Sequence, residues 1–268
     1  MRRAASTFIV VMLLALGAIV TGMLTGGWMR GWAGGEAPTV GLATSPGAAG
    51  AAAVALMGLL GTIAIGVGRA GPRHAGWVLA GVGLLAWASR TGTAADLERL
   101  EGARIAVAAE GMLWAALLAA WTMAVRRLES GRVVSRAVGP GRVVGLFLGG
   151  AVTITVSLAM VWLVARTGLK GQTLAATTIG GLFGVTAGIA AGGRPRLGAA
   201  WTAAAGGLAF AAAALIPHLA EAEWFIPLLR PMPGDYAAGA MLGGSLGLAW
   251  AGTLLSPTPE GAGGSHAA

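Results

Sequence analysis

Apolar residues fall along this chain in blocks of about twenty, the length that carries a helix across roughly 30 Å of hydrocarbon. Eight such blocks stand at residues 6–24, 49–67, 75–89, 105–125, 143–164, 173–191, 197–216 and 236–255, parted by short stretches of Gly, Pro and Arg. Each predicts a spanning helix. The third is short because Arg90 interrupts it, unless that side chain bends its charge toward the headgroups. The first follows Met1-Arg2-Arg3 and runs longer than the apolar region of a secretory leader, so it reads as a span.

The segments between blocks have their own patterns. Residues 25–48 are rich in Gly and Pro, with Trp28 and Trp32 placed as boundary anchors. Residues 91–104 mix Asp96, Glu98, Arg99, Glu101 and Arg104 with Leu97 and Leu100, which predicts a short surface helix. Residues 217–235 hold four prolines, Trp224 and three acids, a structured loop or re-entrant cap. The tail 256–268 is Pro/Gly/Ser-rich and reads as disordered.

The blocks echo one another. Residues 58–88 lie on 181–211 without a gap at an offset of 123, and eleven of thirty-one pairs are identical, including Pro72/Pro195 and Arg73/Arg196. Block four echoes block eight at an offset of 129, with Met112/Met241, Leu113/Leu242 and Trp121/Trp250 among the matches. Shared Ala/Gly bias would give fewer identities and no matched Pro-Arg turn. The expectation is an all-α polytopic bundle of two parallel four-helix repeats. They would be a first unit over 1–128, a basic cytoplasmic linker over 129–142, a second unit over 143–255, and the tail.

Composition sharpens this picture. The chain is 56% hydrophobic and 10% charged, with a mean hydropathy of +0.77, outside the range of soluble domains. Its net charge of +8 does not point to nucleic acid, because the eighteen basic residues sit in short loops between apolar blocks. Eight crossings would put eleven of them on the side of both termini and seven on the other. That asymmetry places both termini in the cytoplasm, in what reads as a bacterial inner membrane. Cys is absent, which excludes disulfides, thiolate metal sites and cysteine nucleophiles. Asn is absent too and Gln172 is the only Gln, so helix contacts must come from close backbone approach.

Small residues at spacing four supply that approach. The series are Gly145, Gly149, Thr153 and Ser157, then Gly180, Gly184 and Gly188, then Gly239, Gly243 and Gly247. Helix packing is the plain reading. The sharper one has Thr153, Ser157, Thr173, Thr177 and Thr178 wetting a pathway between the halves. Glu110 is the one acid inside an expected span, with Arg90, Arg104 or His218 as partners within reach, and an ionisable group at depth is a functional candidate.

Several motif matches fail on context. Gly243-Gly244-Ser245-Leu246-Gly247 fits the hydrolase nucleophile elbow but lies inside an apolar block, without the strand-turn-helix setting. Residues 66–71 fit a dinucleotide-binding glycine pattern but end a block where a strand should precede them. The three histidines lie outside the block interiors, so neither a haem nor a metal site is expected. The chain therefore reads as a non-enzyme without cofactor, in contact with lipid and with membrane-protein partners or copies of itself. The function read from the sequence is a secondary transporter or permease for a small solute or ion, with its pathway between the repeats and Glu110 as proton or cation site. The alternative is a non-catalytic structural or accessory subunit of a larger membrane complex.

Overall fold

The computed structural model describes residues 56–67, 73–93, 103–130, 140–192 and 197–254, together with Ile19. Among these the chain is all helix, in nine elements. They are α1 (Leu56–Val67), α2 (Arg73–Ala88), α3 (Ala103–Ser130), α4 (Pro140–Val164), α5 (Lys170–Ala190), α6 (Gly198–Leu215), α7 (Pro217–Glu221), α8 (Ile226–Leu229) and α9 (Pro233–Leu254). Five of them, α3, α4, α5, α6 and α9, are long and apolar enough to cross a membrane, and α1 and α2 are shorter apolar helices. The chain is thus an integral membrane protein by its described helices. The block at 6–24, the surface helix expected over 91–104 and the tail lie wholly or mostly outside the described residues.

Local chemistry sets the helix ends. Pro140 and Pro233 open α4 and α9, where the missing amide hydrogen costs nothing and the fixed φ suits the first turn. Both helices start about three residues earlier than hydrophobicity alone indicates. After Ala88, α2 unwinds: the Ser89 hydroxyl donates to Ala86 O at 2.7 Å and the Thr91 hydroxyl to Ala88 O at 2.8 Å, satisfying carbonyls that the helix leaves open. The expected break at Arg90 is therefore real. Gly192, at φ +83°, ends α5 in the left-handed region that glycine enters without a Cβ penalty. The segment 217–235 folds as two short helices, α7 and α8, leading into α9.

α9 runs through the middle of the described bundle. Its widest contact is with α5, and it also packs on α2, α6 and α3; α6 in turn lies against α3, and α4 against α5 and α6. Helices on either side of residues 131–139 in the sequence are therefore interleaved. One core cluster joins Trp77, Trp87, Trp114 and Trp121 to Ala203, Ala237 and Met241 across that division. A second gathers Val161, Ala209, Phe225, Leu228 and Tyr236 where α7 and α8 fold back.

Candidate functional site

The α5 helix carries six of the thirteen expected small and hydroxyl positions, more than α4 or α9, and the structure brings these helices together in two tight seams. On one side Gly180, Gly184 and Gly188 face α4. The Ser157 hydroxyl donates to Gly180 O at 3.0 Å and lies 3.2 Å from the Thr202 hydroxyl on α6. The Thr153 hydroxyl donates to Gly149 O in its own helix at 2.7 Å. A methyl at Gly184 would overlap the Ser157 hydroxyl, and one at Gly188 would overlap that of Thr153, so only hydrogen fits at either place. Gly145 sits farther along α4, where a Cβ would come 3.1 Å from Gly192 O.

On the other side α5 meets α9. Gly239 lies over Thr177, Gly243 over the Thr178 carbonyl, and Gly247 over Leu182 and Thr186. The Thr177 hydroxyl donates within its own helix, to Thr173 O or Leu174 O at 3.1 Å each, and the Thr178 hydroxyl donates to Leu174 O at 2.8 Å. Thr153, Ser157, Thr173 and Thr177 are all buried to 2% exposure or less, while Thr178 is half-buried. Each hydroxyl thus returns its proton to protein, which is how a polar group is accommodated where water is scarce.

Glu110 lies on the inward stripe of α3 between Val107 and Trp114, one turn either way, and is 6% exposed. Gly111 beside it presses on Gly207 of α6, where a Cβ would stand 2.6 Å from the Gly207 Cα. Arg90, Arg104 and His218 have exposed side chains.

The charged centre of the described structure is elsewhere. Lys170 Nζ lies 2.5 Å from Asp235 Oδ1, with the carboxylate 1% exposed and the lysine side chain 18% exposed. The same ammonium donates to the Thr91 hydroxyl and to Gly92 O, each at 2.9 Å. Asp235 Oδ2 accepts from the Thr173 hydroxyl at 2.9 Å and from Met232 N at 3.1 Å. Four chain segments meet here: the end of α2, the start of α5, the α8–α9 connection and the start of α9.

Helix-end physics explains half of this arrangement. Asp235 stands third in α9 and reaches back to the amide of the residue before the helix, as an acidic first-turn residue does in a capping box. Tyr236 then points its hydroxyl to Leu228 O at 2.9 Å and tethers α8. Lys170 is the opposite case: a cation in the first turn of α5 opposes the helix dipole. Asp235 and the carbonyl end of α2 offset that cost. The start of α5 is further tied by Gln172, whose side-chain oxygen accepts from Thr167 N at 2.6 Å and from the Thr167 hydroxyl.

Of the residues singled out from sequence, Thr173 alone joins this cluster; the other hydroxyls and glycines belong to the seams, and Glu110 to the α3 core stripe. By sequence, Lys170 is a charge in a short loop between blocks and Asp235 one of three acids in the 217–235 segment. A signal was present: Lys170 is the only lysine among the eighteen basic residues and stands two places before the only Gln. Among the described residues no group of three or more His, Asp or Glu gathers as a metal site. No family model, curated protein or solved structure matches the chain.

Proposed function

We propose that this protein is a non-catalytic, close-packed subunit of a membrane assembly. The hydroxyl row of α5 and α4 carries the reading. A conduit needs polar groups turned toward water, and here Thr153, Ser157, Thr173, Thr177 and Thr178 bond to carbonyls, to Asp235 or to the Thr202 hydroxyl, against glycines. The outer face of α4 is the surface offered to a partner. Only 22% of that span is buried, against 50–61% for the other four. Val144, Leu148 and Leu163 flank Ala151, Thr155 and Ala159 on the exposed side, and small residues at spacing four let a helix of another chain come close.

The finer architecture belongs to the same proposal: eight crossings, both termini in a bacterial cytoplasm, and a duplicated core. Support for duplication comes from the cross-contacts, since α2 on α9 and α3 on α6 are the pairs that exchange when the two copies are swapped. The experiment is to determine the mass of the particle released from membranes by mild detergent. A complex heavier than one 26.4 kDa chain is expected; a stable monomer that moves protons or small solutes in vesicles would overturn the reading.

One observation favours transport as the second reading: Glu110 is an ionisable side chain, 6% exposed, on the core stripe of a helix long enough to span, where an acid is a functional candidate by default. In that case Glu110→Gln abolishes uptake in vesicles while leaving the fold intact, and unchanged uptake removes the role.

A further inference from the structure

The ammonium of Lys170 sits in a cradle of three oxygens, hydrogen-bonded to two of them and ion-paired with the third. One oxygen is a carboxylate, Asp235 Oδ1 at 2.5 Å; one a hydroxyl, Thr91 Oγ1 at 2.9 Å; one a backbone carbonyl, Gly92 O at 2.9 Å. The Thr91 hydroxyl gives its own proton to Ala88 O at 2.8 Å, so its lone pairs are left for the cation. Gly92 O and Thr91 stand just past the carbonyl end of α2, the negative pole of that helix, and unwound carbonyls at such an end are known ligands of monovalent cations. The cradle carries one negative charge, matched to one positive charge. It is an alkali-cation or ammonium site by composition, with a lysine inside it.

The identity of the residue agrees. A compact ammonium with freely turning donors fills a three-sided oxygen cradle, whereas the planar fork of arginine does not. This chain uses arginine at every other basic position and lysine only here. The stem comes from the wrong helix end for a cation, the first turn of α5, so the cradle and not α5 accounts for the charge being there.

We propose that Thr91, Gly92 and Asp235 form a monovalent-cation site at the end of α2 that Lys170 occupies in cis. The tethered ammonium ties α2, α5 and α9 together, and with the tether removed a free ammonium or sodium ion takes its place. This holds whether the protein is an accessory subunit or a transporter.

The test uses the full chain in nanodiscs and the variant Lys170→Ala, extracted and held in ammonium, sodium or tetramethylammonium chloride at one ionic strength. Tetramethylammonium is too large for the cradle and has no N–H. The expected result is a melting temperature below wild type in tetramethylammonium, with most of the loss regained, saturably, in ammonium or sodium. Wild type and the neutral pair Lys170→Ala/Asp235→Asn show no difference among the salts. A variant that folds only when ammonium or sodium is present gives the same answer. The proposal is overturned if Lys170→Ala responds equally to all three salts, if the neutral pair responds as the single variant does, or if no small cation recovers the variant.

Discussion

Two regions of this bundle solve the same problem with a different balance of means. Around α1, α2 and α3, bulk is added to the close glycine approaches at Gly76 and Gly111: Trp77 meets Trp121 edge-on with ring centroids 5.1 Å apart, and Trp87 meets Trp114 at 5.1 Å. Trp121 also donates to Met57 O at 2.8 Å and so ties α3 to α1. Around α4, α5 and α9 the contacts are made by absence, with hydrogen atoms of glycine facing hydroxyls and carbonyls of the next helix. Lipid supplies little hydrophobic force between apolar rods, so each region depends on van der Waals contact, either through large rings or through near-touching backbones. The expected counterpart of Trp121 is Trp250, and it shows the contrast: Trp121 is 8% exposed, while Trp250 is 41% exposed and meets Phe183 edge-on at the surface.

The two regions should therefore fail differently. The largest effect is expected for Trp114→Ala, which empties a fully buried ring site and costs about 3–5 kcal/mol in a reversible unfolding assay. Trp114→Leu should recover a good part of that loss, because this region is held by volume. The second largest is expected at the charged cluster, where Asp235→Asn leaves the half-buried Lys170 ammonium without its counter-ion and costs roughly 3 kcal/mol.

Smaller, but without any rescuing substitution, is Gly243→Ala. Its methyl would overlap the Thr178 carbonyl oxygen, a backbone atom, and the strain is about 1–3 kcal/mol, rising with every larger side chain. If Gly243→Leu melted as wild type does, the distinction between the two regions would be lost. The smallest effect is expected for Ser157→Ala, about 1 kcal/mol, from the hydrogen bond to Gly180 O.

What could be read in advance follows from the same contrast. Hydropathy marks the long helices within a few residues, because crossing hydrocarbon demands length, and spacing four marks the glycine seams, because one turn of helix repeats a face. Arg90 marks the end of α2. Proline at a first turn extends α4 and α9 beyond their apolar stretches, and hydropathy has no term for that. The Lys170–Asp235 pair escaped for a different reason. Its members are 65 positions apart, each looks like an ordinary loop charge beside a span, and only the fold brings four segment ends to one point. The Thr residues were legible as polar positions on α5, yet whether they face water or each other's backbones depends on how close α4 and α9 come.

That last point is the one to measure. The chain contains no Cys, so single replacements Thr153→Cys, Ser157→Cys and Thr177→Cys each introduce one near-isosteric thiol. In sealed membranes these are exposed to a small, charged thiol reagent, with Glu223→Cys as the surface reference. A closed, glycine-packed seam predicts that the three buried thiols stay unmodified while the reference reacts fully. Modification of Ser157→Cys or Thr177→Cys at a rate comparable to the reference would put water in the seam and contradict the account of this protein as a packed subunit.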